Sequence, residues 1–318
     1  MKERVPTARF LGMGGERMKE QGVELIAELD ALAVMGFVEV LPRVPYFRRL
    51  ERRVIGLLEE ERPELVVLVD YPGFNMRIAR AAHDRGCRVL YYIAPQVWAW
   101  KRGRARTLAA TTDGIATILP FEAELLRHYG ARAEYVGHPL LDRPDDVPGR
   151  DECFRTWGLD PERPLLAVLP GSRAQELAHH LEAFAQIARA VVSRRPEVQV
   201  AISRAETMEG HLFDDIGFPI VTQTRALQRW SDAALVKSGT STLETAMERT
   251  PLVIAYRTSW LTAAIARRVM RNEHIGLPNL MLDERVVPEV LQRDVTPDVI
   301  APMLLDLLDP DNAVRRAQ

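Results

Sequence analysis

Apolar runs of strand length alternate with amphipathic stretches of helix length along most of the chain. Leu65-Val66-Val67-Leu68-Val69 is unbroken and ends at Asp70, the pattern of a central parallel strand buried on both faces. Arg88–Ile93, Gly114–Leu119 and Ala133–Val136 read as further strands, and Ala8–Leu11 as a short one running into Gly12-Met13-Gly14-Gly15. Between them, helices are predicted over Leu50–Glu61 (stopped by Pro63), Met76–Asp84 (closed at Gly86), part of Trp98–Ala110, and Phe121–Tyr129. Met18–Leu32 reads as a helix with a turn at Gly22.

The alternation pauses at Asp142–Arg150, a polar stretch rich in Pro, and then restarts. Strands are predicted at 165–169, 198–203, 218–222, 233–236 and 252–256. Helices are predicted near 176–194, 225–230, 241–248, 259–271 and 299–308. Strand–helix alternation of this kind implies an α/β fold with mostly parallel sheets. The expected architecture is two Rossmann-like domains facing a cleft, residues 1–143 and 151–318, joined by the polar stretch.

Two segments of the second half look built to hold a diphosphate. Leu169-Pro170-Gly171-Ser172-Arg173 follows the run Leu165–Leu169 and precedes a helix. Lys237-Ser238-Gly239-Thr240-Ser241-Thr242-Leu243-Glu244 follows Ala233–Val236 and also opens a helix. Free N–H groups and the positive end of a helix dipole make such turns anion sites, and ligands of these folds sit beyond the carboxyl ends of the strands. Gly171 and Gly239 let the backbone come close, Ser172, Ser238, Thr240 and Ser241 offer donors, and Arg173 can grip two oxygens. Together the two loops point to a nucleotide. The simpler alternatives are a surface arginine in a turn and ordinary Ser/Thr helix caps. Glu244 can reach a sugar hydroxyl or close a capping box with Ser241.

Composition narrows the partners. Of the 318 residues, 47% are hydrophobic and 27% charged, as in globular proteins, and a net charge of −2 argues against a dedicated nucleic-acid binder. Cys87 and Cys153 match no metal spacing and fit a reducing cytoplasm. No apolar run approaches the ~18–20 residues of a membrane span. No apolar stretch of the kind a signal peptide carries follows Met1–Pro6. The basic segments Leu41–Arg53 and Trp98–Arg106 interleave aromatic and cationic residues. They suit either an anionic membrane surface or solvated basic helices with buried aromatics.

Several segments together resemble the lipid-A-disaccharide synthase family of inverting, GT-B type glycosyltransferases. They are Val34–Leu41, Asp70-Tyr71-Pro72-Gly73-Phe74-Asn75, Tyr92–Trp100 with its Pro95-Gln96-Val97-Trp98-Ala99-Trp100, Leu119–Glu122 and Val136-Gly137-His138-Pro139-Leu140. Both loops above, Leu277-Pro278-Asn279-Leu280 and Val287–Gln292 complete the set. Against the family pattern, the leading strand with its Gly-Glu-x-Ser-Gly-Asp loop and the last C-terminal helices are absent from this sequence. On that ground an inactive nucleotide-sugar-binding fragment stands as one alternative. Another UDP-sugar enzyme of the same fold, an epimerase or a lipid glycosyltransferase, stands as the other.

The resemblance implies a donor, UDP-2,3-diacylglucosamine, and an acceptor, 2,3-diacylglucosamine 1-phosphate. Their inverting union gives the lipid A disaccharide 1-phosphate and UDP. It implies a cytoplasmic protein touching the anionic inner membrane, with room for an oligomer and no nucleic acid. Asp70 is then the candidate general base or acceptor-orienting group, with helix capping as the plainer alternative. His138 is the rival base, or a hydrogen-bonded turn residue. Asn279, Glu289 and Gln292 fall on the nucleotide side, Glu289 as a ribose ligand. No metal or other cofactor is required, since an arginine and helix ends face the leaving group. The remaining histidines, among them His179 and His180, read as surface or structural.

Overall fold

The structure, a computed structural model, describes residues 5–28, 44–97, 103–258, 274–312 and 318. The family-like segment Val34–Leu41, the residues Trp98–Arg102 and the helix expected at 259–271 lie outside them. Two compact units emerge: residues 1–91 with 111–113, and residues 92–110 with 114–318.

In the first unit β1 (Leu11–Gly14) pairs in parallel with β2 (Glu24–Glu28), Leu11 opposite Glu24. Residues 24–28 are therefore a strand and not the second half of a helix. Only Glu16–Glu20 is helical there. Pairing with β1 overrides the weak helical spacing of Glu24-Leu25-Ile26-Ala27-Glu28. Helix Val44–Glu61 starts earlier than expected and takes in the described part of the basic segment, Val44–Arg53. β3 (Leu65–Val69) lies beside β4 (Arg88–Tyr92), with helix Pro72–His83 between them in sequence.

The expected two-sided burial of β3 does not occur. Leu65, Val67 and Val69 are 43%, 38% and 50% exposed, while Leu68 is buried. Among the described residues β3 is an edge strand, and one of its faces is left open. An apolar run permits burial on both sides, but only neighbouring elements can supply it.

In the second unit β5 (Gly114–Thr117) and β6 (Ala133–Tyr135) pair in parallel. Beyond them is a six-stranded sheet, order β12-β11-β10-β7-β8-β9. Its strands are β7 (Leu165–Leu169), β8 (Gln199–Ser203), β9 (Ile220–Val221), β10 (Ala233–Lys237), β11 (Leu252–Tyr256) and β12 (Glu289–Leu291). Its pairings β12–β11, β11–β10, β10–β7, β7–β8 and β8–β9 are parallel.

All five residues of β7 are buried, and they alternate between two cores as the pleat requires. Leu166 and Val168 meet Phe184 and Ile187 of helix Ala174–Arg194 and Leu304 of helix Pro297–Leu308. Leu165, Ala167 and Leu169 meet Phe154 of helix Arg150–Trp157 and Leu227 of helix Thr224–Trp230.

The polar stretch expected as a linker is fastened to this unit. Arg225 donates to the Pro144 carbonyl and to Glu248, Arg229 pairs with Glu248 and Asp145, and the Trp230 indole donates to the Pro148 carbonyl.

Candidate functional site

In the six-stranded sheet the candidate residues gather where the strands end. Gly171, Ser172 and Arg173 follow β7, Ser238 and Gly239 follow β10, and Gln292 follows β12. Because β10 pairs with β7, Ala233 opposite Leu166 through Val236 opposite Leu169, both predicted anion loops leave the sheet side by side.

Gly171 has φ +128, open to glycine. A Cβ there would lie 2.6 Å from the Glu176 side chain. That space is filled by the Glu176 carboxylate, in the first turn of helix Ala174–Arg194. The Ser172 N–H donates to its Oε2 at 2.9 Å, Arg173 donates to Oε1 at 3.2 Å, and Lys237 Nζ reaches Oε1 at 2.8 Å. Burial works against the Glu176 charge, yet Lys237, the Ser172 amide and Arg173 outweigh it and hold its pKa below the ordinary glutamate value. The loop thus holds one negative group with a backbone amide and two cations, the chemistry an anion site needs. Glu176 was not among the expected site residues, and Lys237 opened the second expected anion segment without an assigned role. A lysine immediately ahead of Ser-Gly-Thr was the available signal.

Gly239 is the N-cap of helix Thr240–Met247, with φ +154. A Cβ there would come within 3.4 Å of Lys237 Nζ. Thr240 and Ser241 stand in the first turn, Thr240 exposed. The Ser238 hydroxyl donates to the Ile275 carbonyl at 3.0 Å.

Ile275 and Gly276 in turn donate to Glu289, at 3.0 and 2.9 Å, and Asn279 Nδ2 adds a bond of 2.8 Å to the same carboxylate. Asn279 is fully buried and closes a pair of bonds with the Val287 main chain. Its amide holds Glu289 in place; it is not an open ligand donor. Gln292 accepts from the Thr258 N–H at 3.3 Å.

Glu244 forms neither the capping box with Ser241 nor a free carboxylate. Arg143 donates to its Oε1 at 2.9 Å, and helix Thr240–Met247 has no side-chain cap.

His138, 9% exposed, accepts from the Leu140 N–H through Nδ1 at 3.2 Å and caps the short 3-10 helix Pro139–Asp142. Burial lowers its pKa, Glu244 pulls it back up and Arg143 adds to the lowering. The ring is therefore neutral near pH 7, with its proton on Nε2.

His180 is buried and structural. Its Nδ1–H donates to the Glu176 carbonyl at 2.7 Å while Nε2 accepts from the Arg257 N–H at 2.9 Å. Burial drives its pKa down to about 4.

Asp70 belongs to the first unit. It and Tyr71 are consecutive left-handed residues, φ +47 and +46. The turn is pinned by Asn75, whose Nδ2 donates to the carbonyls of Val69 and Asp70 at 3.0 and 2.8 Å. Tyr91 adds a hydroxyl bond to the Asp70 carbonyl at 2.7 Å. The N-cap of helix Pro72–His83 is Tyr71 and carries no side-chain cap bond, so the capping alternative for Asp70 is not realised. Crowding by protein atoms raises the Asp70 pKa and a bond from the Tyr71 amide opposes the rise, while the residue stays open to solvent. Strain of ~1–3 kcal/mol per left-handed residue, held by two buried side chains, is a pattern of functional turns.

In the basic segment, Phe47 and Leu50 turn inward, with Phe47 6.3 Å from the Tyr71 ring, whereas Arg48, Arg49, Arg52 and Arg53 are exposed. Among the described residues no helix is long and apolar enough to cross a membrane.

Comparison with known proteins agrees with the sequence motifs. Two crystal structures share the fold. A UDP-GlcNAc 2-epimerase from Neisseria meningitidis bound to UDP-GlcNAc aligns with a TM-score of 0.59 over 98% of this chain and 86% of its own, at 10% identity. The glycotransferase of kitacinnamycin aligns with a TM-score of 0.62 over 99% and 86%, at 12% identity. Similarity in sequence is far stronger to lipid-A-disaccharide synthases. That of Geobacter sulfurreducens is 39% identical over 311 residues, 96% of this chain and 81% of the relative. That of Neisseria meningitidis serogroup A is 35% identical over 328 residues, 100% and 85%. The family model for lipid-A-disaccharide synthetase matches residues 1–318, and the chain belongs to that family of glycosyltransferases.

Proposed function

We propose that the protein joins UDP-2,3-diacylglucosamine to the 6-hydroxyl of 2,3-diacylglucosamine 1-phosphate, with inversion, releasing UDP. The carrying observation is the cradle at the ends of β7 and β10. There the Ser172 amide, Arg173 and Lys237 already hold a carboxylate in a turn that only glycine leaves open. Departure of UDP concentrates negative charge on its diphosphate, and donors fixed in advance lower the barrier by meeting that charge. Ser238, Thr240 and Ser241 supply the second loop, and Glu289, clamped by Asn279 and the Ile275–Gly276 amides, presents an oriented carboxylate to the ribose. Glu244 and Gln292 complete the nucleotide side.

Asp70 takes the proton of the attacking hydroxyl. Its raised pKa makes it a better proton acceptor than an ordinary carboxylate. His138 serves the acceptor side as a neutral hydrogen-bond donor, because its Nδ1 is occupied.

Residues 1–143 act as the acceptor half and 151–318 as the UDP-sugar half. The exposed arginines of helix Val44–Glu61 support a peripheral contact with the anionic inner membrane, where both acylated substrates reside.

Incubation with both acylated sugars, followed by mass spectrometry, tests the assignment. A tetraacyl disaccharide 1-phosphate is expected, and folded protein that forms none contradicts it. Asp70→Asn is expected to lower turnover by about 10²–10⁴-fold with little change in donor affinity; wild-type turnover removes Asp70 as the base.

A further inference from the structure

Lys237, the last residue of β10, heads the second loop and offers it a side-chain cation rather than a backbone amide. Its ammonium lies against Gly239, where a Cβ would come within 3.4 Å, and bonds Glu176 Oε1 at 2.8 Å across from the Gly171 turn. The Tyr256 ring centroid is 5.7 Å away, and the lysine side chain is only 15% exposed. A half-buried ammonium needs an anion. Here the anion is Glu176, which also takes the Ser172 amide and Arg173. The same carboxylate fills the space that the absent Cβ of Gly171 leaves, the space a phosphate needs to approach the Ser172 N–H.

We infer that Lys237 is a second cationic ligand of the nucleotide diphosphate, and that Glu176 is a resident anion that occupies the diphosphate position until the nucleotide displaces it. This inference rests on the diphosphate reading of the cradle and deepens it. Arg173 and Lys237 exchange one carboxylate for phosphate oxygens, so neither cation is left bare when UDP departs. Glu176 competes with the ligand and lowers its apparent affinity by the fraction of time it holds the site. Discrimination between a diphosphate and a bare nucleoside then depends on both cations.

The experiment is titration calorimetry with UDP and with uridine on the full chain, for wild type, Arg173→Ala, Lys237→Met, Glu176→Gln and the double variant K237M/E176Q. Lys237→Met is expected to weaken UDP by at least about tenfold and leave uridine unchanged, as loss of a charge-assisted phosphate contact requires. Glu176→Gln is expected to tighten UDP, because the amide still accepts from Ser172 but no longer competes for the cations. The double variant leaves neither a bare ammonium nor a bare carboxylate. With a melting point near wild type, it is expected to bind UDP more weakly than Glu176→Gln does.

UDP affinity unchanged in Lys237→Met, while Arg173→Ala weakens it, overturns the role of Lys237 and leaves the cradle standing. Glu176→Gln that weakens UDP or leaves it unchanged makes Glu176 a structural support and overturns the displacement. Wild type that prefers UDP no more than uridine removes the diphosphate reading itself.

Discussion

β3 and β7 have nearly the same composition, Leu-Val-Val-Leu-Val against Leu-Leu-Ala-Val-Leu, and opposite surroundings. Every β7 residue is sealed between two helical layers, and strands pair on both of its sides. β3 shows alternate residues to solvent. Their carboxyl ends differ as well. β7 opens into a turn that holds an anion with an amide and two cations, whereas β3 opens into a strained turn that holds up one aspartate. An apolar run specifies a strand; the neighbours specify what it is for.

One substitution made in both strands separates the two environments. Leu166→Ala removes a fully buried side chain and is expected to destabilise the protein by about 2–5 kcal/mol. Leu65→Ala, at a position 43% exposed, is expected to stay within about 1 kcal/mol in the same denaturant titration. Equal effects would mean that the two strands are equally sealed.

On the sealed side, His180 fixes the start of helix Ala174–Arg194 to the end of β11. Its native pKa of about 4 lies below the ordinary 6.5. As pH falls between those values, the unfolded chain binds a proton that the native state refuses, so stability falls with pH, by about 3 kcal/mol in all. Unfolding free energies measured across this window are expected to lose a slope of about one proton in His180→Gln. An unchanged slope would show that the ring is not what titrates.

At the mouth of β7, Arg173→Ala is expected to weaken UDP by about 1.5–3 kcal/mol, read by calorimetry, with uridine affinity unaffected. Equal losses for both ligands would place Arg173 away from the phosphates. The smallest effect belongs to Arg143→Ala. Its bond to Glu244 involves a half-exposed arginine, and about 0.2–1 kcal/mol of stability is expected to go with it. A larger loss would make this contact a structural fastening of the Pro139–Asp142 turn.

The second unit was legible because its signals agree. The runs at 165–169, 233–236 and 252–256 are bounded by Pro, Gly or Ser, and the sheet places their ends together as predicted. Loop chemistry at Gly171-Ser172-Arg173 could be read because backbone approach requires glycine. Three things were not legible. Glu24–Glu28 became a strand through its partner β1, a contact remote in sequence. The Lys237–Glu176 pair joins residues of two elements that only the sheet brings together. Asn279 and Glu289 carried family weight, but whether a polar side chain faces a ligand or clamps a turn depends on burial, which neither residue type discloses.

A crystal structure of the protein with UDP decides whether the diphosphate takes the place of Glu176. The diphosphate is expected within hydrogen-bond distance of the Ser172 amide, Arg173 and Lys237, with the Glu176 carboxylate withdrawn. UDP bound with its phosphates away from the ends of β7 and β10, and Glu176 still in place, would contradict it.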